Sequence, residues 1–181
     1  MSATLSTEAR TSSSTKAQIK ALRASGKIPA VVYGKSVASE PITIDSDEFR
    51  RFINEGNRNR LISLSLPSGT KINAFVKEIT RDKIRRDVTH IDFQAVADGD
   101  SITYRLPVNC VGVPVGVKIG GGNLNVIKKD IKVKVKAAYL LDSVDIDVSL
   151  VEKGGAILVS DVKLEHATVL TPARQAVATV N

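Results

Sequence analysis

Arg81-Asp82-Lys83-Ile84-Arg85-Arg86-Asp87-Val88-Thr89-His90-Ile91-Asp92-Phe93 is the stretch from which the chain is best read. Four cations crowd its first six residues, and the polar run then passes into His90-Ile91-Asp92-Phe93. That tetrapeptide alternates polar and apolar side chains, the two-residue period of a strand with one buried face. Ile91 and Phe93 then point to a core, while His90 and Asp92 share the outward face beside a basic loop. Such a face suits an anionic, hydrogen-bonding partner. It equally describes an ordinary edge strand with a solvated face, and these residues alone leave both readings open.

Towards the N-terminus the elements are short. Residues 4–9 alternate and predict a first strand with Arg10 at its exit, and residues 11–15 form a polar loop rich in potential helix caps. Residues 16–25 predict a helix closed by Gly26, with Ile19 and Leu22 on one face. Lys16, Lys20 and Arg23 fall at i, i+4 and i+7, a second stripe made of cations. A surface helix ordinarily mixes Glu with Lys at this spacing, yet no acidic residue occurs from Thr11 to Ser39. Residues 28–34 predict a strand that tolerates Pro29 near its start and ends in Tyr33-Gly34, where Tyr33 either packs in the core or offers its ring and hydroxyl to a ribose or base. Residues 41–44 predict another strand. Asp45 and Glu48 stand at capping-box spacing before a helix whose apolar face is Phe49, Phe52 and Ile53 and whose end is near Gly56. Residues 61–66 and 71–79 read as a hairpin across a Pro67–Gly69 turn, followed by Lys77, the basic loop and His90–Phe93.

Beyond the small, glycine-containing stretch Ala95–Asp100 the helical signals nearly vanish. Ile102, Tyr104, Leu106, Val108 and Cys110 alternate along one strand face. Ile131, Val133 and Val135 alternate against Lys132, Lys134 and Lys136. Residues 144–150 alternate again, and residues 177–180 could close a sheet. The fold class is mainly β (α+β). An N-terminal β-barrel or sandwich with two or so inserted helices spans residues 1–96, and a second all-β domain spans 97–181.

Charge and chemistry narrow the function. The chain has 26 Lys+Arg against 19 Asp+Glu, a net +7. Residues 1–96 hold 16 of those cations against 10 acids, and residues 97–181 hold 10 against 9, so the positive charge belongs to the first half. A polyanion site is expected there. A single cysteine, Cys110, allows no internal disulfide and fits a reducing compartment. No apolar run approaches a membrane span, and the first ten residues lack a hydrophobic signal core. The expectation is a cytosolic protein with no membrane partner. Two histidines and one cysteine supply no familiar metal-ligand spacing, and no nucleophile-elbow, Walker or dinucleotide motif is present. Gly120-Gly121-Gly122 lacks the Lys-Ser/Thr of a phosphate loop and predicts a tight bend or backbone crossing. Neither catalysis, a cofactor, a metal nor a small-molecule substrate is expected.

Lys27-Ile-Pro-Ala-Val-Val-Tyr-Gly34, the Arg81-Asp82 pair and His90-Ile-Asp-Phe93 resemble the bacterial large-subunit ribosomal protein twenty-five family, which binds 5S rRNA. In the second half, Leu106-Pro-Val108, the Gly112-to-Lys118 segment and Gly121-Gly122 before Ile131-Lys-Val133 resemble the C-terminal β domain of its two-domain form, the CTC or general stress proteins. The resemblance implies an N-terminal barrel similar to the anticodon-binding barrels of a tRNA synthetase, with 5S rRNA and neighbouring parts of the large ribosomal subunit as partners. It maps RNA-contacting roles onto Arg10, Lys20, Arg23, Tyr33, Lys77, His90 and Asp92, and the cation pattern adds Lys16 and Arg81. The chain departs from the family where Ser and Thr replace a Gly-x-Gly before the first helix, where Lys20-Ala21 replaces an Arg-Arg pair, and at Lys77, where some members carry Gln. The residues do not distinguish a bacterial from an organellar ribosome. An alternative of a different class is a stress-related RNA- or protein-binding module only loosely associated with ribosomes.

Overall fold

The computed structural model describes residues 3–10, 15–35, 37–67, 69–97, 99–162 and 164–181. The polar loop read at residues 11–15 lies outside them except for Thr15. The chain divides into two compact units, Met1–Asp100 and Ser101–Asn181.

In the first unit the elements run β1 (Ala3–Ser6), β2 (Glu8–Ala9), α1 (Lys16–Ala24), β3 (Lys27–Tyr33), β4 (Glu40–Asp45), α2 (Ser46–Asn54), β5 (Leu61–Ser65), β6 (Lys71–Arg81) and β7 (Val88–Ala95). All seven strands join one sheet in the order β1-β5-β6-β7-β3-β4-β2. The single strand read at residues 4–9 is therefore corrected. Thr7 divides it, because its first half pairs in parallel with β5 and its second half pairs antiparallel with β4. These halves are the two outermost strands of the sheet. Ser6 and Glu8 are separated by one residue, so their Cα atoms lie at most about 7 Å apart. Six inter-strand gaps in a flat sheet would separate them by on the order of 29 Å. The sheet must curl until its edges nearly meet, which makes it the barrel expected.

Alternation then sorts the side chains. Ile28, Ala30 and Val32 of β3, Ile42 and Ile44 of β4, and Ile91 and Phe93 of β7 are buried inside with Leu5, Ile62, Leu64, Ala74 and Val76. Pro29 is tolerated inside the sheet because the parallel ladder between β3 and β7 begins only at Ala30. Helix α2 packs Phe49 and Phe52 on this core, with the Phe49 ring edge-on to Phe93 at 6.5 Å. The Asp45 carboxylate starts α2 by accepting from the backbone N–H groups of Asp47 (2.9 Å) and Glu48 (3.0 Å). Thr15 starts α1, with Gln18 closing a reciprocal capping box. Gly26 and Gly56 follow the two helices with φ of +79°, a conformation that glycine adopts without strain.

The second unit is also β. A four-stranded sheet runs β11 (Val144–Asp147), β8 (Ser101–Val111), β10 (Asp130–Lys136), β13 (Ala167–Val169). A three-stranded sheet runs β12 (Ala156–Leu158), β14 (Ala176–Val180), β9 (Leu124–Val126). Ile102, Tyr104, Leu106 and Val108 of β8 and Ile131, Val133 and Val135 of β10 are buried as their alternation predicts, and a one-turn helix α3 (Val115–Lys118) interrupts the strands. The Tyr104 hydroxyl both donates to the Leu141 carbonyl (2.9 Å) and accepts from its N–H (3.0 Å). Cys110 ends the buried face of β8 half-exposed, and burial raises its thiol above the usual value. The glycine run is a backbone crossing: a Cβ on Gly122 would stand 2.7 Å from the Asn181 carbonyl oxygen.

Two backbone hydrogen bonds hold the Asp45 carboxyl below the usual carboxylate range, that of Glu48 first and then that of Asp47. A depressed folded-state value means that this stabilisation is present above the ordinary carboxylate range and is lost as pH falls through the folded value. Asp45→Ala should cost about 1 kcal/mol at neutral pH, and the difference from the parent chain should narrow on acidification. Asp45→Asn should retain most of the stability and lose the pH dependence. Urea denaturation of all three proteins at neutral and acidic pH, followed by circular dichroism, checks this.

Candidate nucleic-acid interface

The outer face of the barrel is defined by register. Arg10 N–H donates to the Pro41 carbonyl, Pro41 pairs with Val31, Val31 with Asp92, and Asp92 with Glu78. These five residues form one row across β2's exit, β4, β3, β7 and β6. The neighbouring row holds Tyr33, Gln94 and Phe75, and on the other side His90 faces Thr80. Side chains two apart along a strand are about 6.6 Å apart on the same face. Arg10, Tyr33, His90 and Asp92, far apart in the chain, therefore share one surface.

Within it, His90 Nδ1 lies 2.6 Å from Asp92 Oδ1. Each side chain is about one-third exposed, at 34% and 32%. The Nδ1–H donation orients the imidazole and leaves Nε2 and the second carboxylate oxygen for a partner. Tyr33 is half-buried on the same face. Burial, then the charges of Asp92 and Glu78, raise its phenol above the usual value, so its hydroxyl stays protonated and available as a donor. Gly34, just beyond it, runs against Ala95.

Helix α1 lies against β3 and is fastened beside His90. Arg23 donates through Nε (3.2 Å) and Nη2 (2.9 Å) to the Thr89 carbonyl. Two of its five guanidinium donors are thus spent on holding the helix. Lys16 and Lys20 stand exposed on the same helix stripe. Lys77 is exposed where the β6–β7 register slips between Val76 and Glu78.

Arg81 is placed elsewhere. Thr80 pairs with His90 but Arg81 pairs with Val88, so Thr89 is bulged and the faces exchange. Val88 packs on the core, and Arg81 lines a small cavity with Arg50, Arg86 and the α2 residues Phe49 and Ile53. It does not adjoin His90 and Asp92. In the loop beyond, Asp82 Oδ1 accepts from the N–H groups of Ile84 (2.8 Å) and Arg85 (2.9 Å), which holds its carboxyl below the usual range. Arg86 adopts φ of +60°, and Ile84 is 92% exposed at the tip between the cations. Sequence reading missed Glu78, Thr80 and Gln94 on the outer face. The adjacent apolar pair Phe75-Val76, a break in alternation just before the slip, is the signal that could have warned of it.

The comparisons with known proteins bear on what this surface belongs to. Residues 5–93 match the model of the ribosomal L25p family, and residues 101–181 match that of the ribosomal protein TL5 C-terminal domain. The large ribosomal subunit protein bL25 of Lysinibacillus sphaericus is 36% identical over 142 residues, covering 78% of this chain and 71% of that one. The chain belongs to the ribosomal L25p family. This L25p-family chain is also 34% identical to bL25 of Thermus thermophilus over 144 residues, covering 80% of it and 68% of the relative. It is 29% identical to the general stress protein Ctc of Bacillus subtilis over 159 residues, covering 88% and 76%. The two-unit division and the paired family matches together describe the two-domain form.

A Cβ on Gly34 would lie 2.8 Å from Ala95 Cβ and 2.9 Å from its carbonyl oxygen. Gly34→Ala should therefore push the end of β3 from β7, displace Tyr33 and cost about 1–3 kcal/mol. Chemical-shift changes confined to Tyr33, Gln94 and Ala95, with a lowered urea midpoint, are the expected result.

Proposed function

We propose that this chain is a non-catalytic structural protein of the large ribosomal subunit, working at the cytoplasmic ribosome, whose N-terminal unit binds 5S rRNA. The observation that supports it is the cross-strand row bringing Arg10 and Asp92 to one face, with Tyr33 and His90 beside them and the cationic helix α1 fastened alongside. The relatives named as large ribosomal subunit proteins supply the setting.

The roles divide by charge. Lys16, Lys20 and Arg10 neutralise phosphates and release counterions, a term independent of sequence. Glu78 and Asp92 repel phosphate, so the strip they occupy faces base edges or ribose hydroxyls. There Asp92 accepts from a base amino group, His90 presents Nε2, and Tyr33 offers a protonated hydroxyl and a ring face. Arg23 acts partly by holding α1. Lys77 adds a cation at the bulge, and Arg81 belongs to a separate basic patch around the loop.

Binding of the full chain to 5S rRNA across a salt series tests this. Lys16→Ala with Lys20→Ala should flatten the log–log salt slope by roughly 1–2. His90→Ala and Asp92→Ala should leave the slope unchanged and lower the preference for 5S rRNA over an unrelated RNA by about tenfold. An unchanged preference in both would remove base recognition from this face. The relative named Ctc supports a second reading, a stress-related module loosely attached to ribosomes. Sedimentation with large subunits through a high-salt cushion separates the two, since a stoichiometric constituent stays with the subunit.

A further inference from the structure

The second unit carries a feature that RNA binding does not use. Strands β11 and β12 are, among the described residues, outermost strands of two different sheets. A groove of about 770 Å³ runs between them. Val144, Ile146, Val151 and Ile157 give it an apolar lining, and Leu150 stands 87% exposed beside it. Its ionisable residues are Asp145, Asp147, Glu152 and Asp161, all exposed, and among the described residues no Lys, Arg or His lines it. Ser149 holds Asp147 below the usual carboxylate range through its hydroxyl and then its N–H.

We infer that this groove receives an extended, basic peptide segment of another protein, added as a strand between β11 and β12. An outermost strand offers backbone N–H and C=O groups along its open side, and a chain laid beside it can pair with them. On β12 the Leu158 N–H is already taken by the Asp161 carboxylate (3.0 Å), so the segment pairs there with the remaining groups. One segment between these two edges would join the sheets in the order β10-β8-β11-segment-β12-β14. The edges are four and three residues long, so about 10–13 Å of extended chain fills the site, or four residues. The period of two then sets the sequence. Alternate side chains meet the apolar lining and the rest meet the carboxylates, which selects Lys or Arg at every second position. Four carboxylates on one groove repel a phosphate backbone and an acidic peptide alike. Short edges bearing charge of one sign also discourage pairing with another acidic or purely apolar strand, so the same residues confer selectivity.

The probe is a capped hexapeptide alternating Lys and Val, titrated into the full-length protein at low salt and followed by amide chemical shifts and hydrogen exchange. Shifts and slowed exchange should concentrate at residues 144–147 and 155–158. Asp145→Lys with Glu152→Lys should weaken binding by about tenfold or more; both side chains are exposed, and unchanged shifts for Ile131, Val133 and Val135 report that the unit stays folded. A peptide N-methylated on alternate residues, which cannot pair on one edge, should bind at least about tenfold more weakly. Equal binding of the N-methylated peptide, or of an alternating Glu-Val peptide, would overturn the proposal. So would a single-stranded RNA oligonucleotide shifting the same amides, or sedimentation showing that a second copy of the chain occupies the groove.

Discussion

A one-residue connection, Thr7, ties together the two edges of a seven-stranded sheet, and the first unit's architecture depends on that tie. With the edges held together the sheet has an inside. Having an inside, each strand's alternation has only one acceptable phase, because a slip by one residue would turn its apolar set to solvent. Ile91 and Phe93 fix the phase of β7, and the outward placement of His90 and Asp92 follows without any contact of their own to enforce it. The candidate face is thus a by-product of core burial, and its precision comes from the packing of the residues buried beneath it.

Within that frame the two β-bulges decide which residues become neighbours. The slip at Val76 and Glu78 sets Glu78 opposite Asp92 and leaves Lys77 outside the ladder. The slip at Thr89 turns Arg81 and Val88 toward α2 and leaves the Thr89 carbonyl to receive Arg23. One carbonyl therefore links the basic helix to the strand that carries His90. The cations so distributed fall into two groups, one on α1 beside the outer face and one around the loop beside α2.

This explains what could and could not be read from the residues. Alternation and caps made the strands and both helices legible, because each reports a local burial pattern: Phe49 and Phe52 at helical spacing, Ile91 and Phe93 at strand spacing, Asp45 before a helix. Pairing partners were not legible. Nothing local says that Ala3 pairs with Ile62 while Ala9 pairs with Ile42, so residues 4–9 read as one strand. The adjacency of Arg10 to the β7 face follows from that pairing and was invisible until register was known; the resemblance supplied the residue but no geometry. Arg81 was grouped with His90 because nine residues of sequence separate them, and a single bulged residue undid the grouping. In the second unit the charge balance looked nearly neutral because the lysines of β10 and the carboxylates around β11 cancel in a sum though they occupy different strands.

The tie at Thr7 also has a consequence in time. Residues 3–9 leave the ribosome ahead of both their partners: β1 waits for Leu61–Ser65 and β2 for Glu40–Asp45. At about 5–20 residues per second that delay is on the order of seconds. Through it the emerging sheet has a bare seam, and the apolar faces of β3 and β4 have no enclosure. β3 waits longer still, for β7 at Val88–Ala95, so the sheet closes only when that strand arrives. A chain lacking residues 3–9 would lose both of its borders at once, leaving β4 and β5 as open edges prone to pairing with other chains.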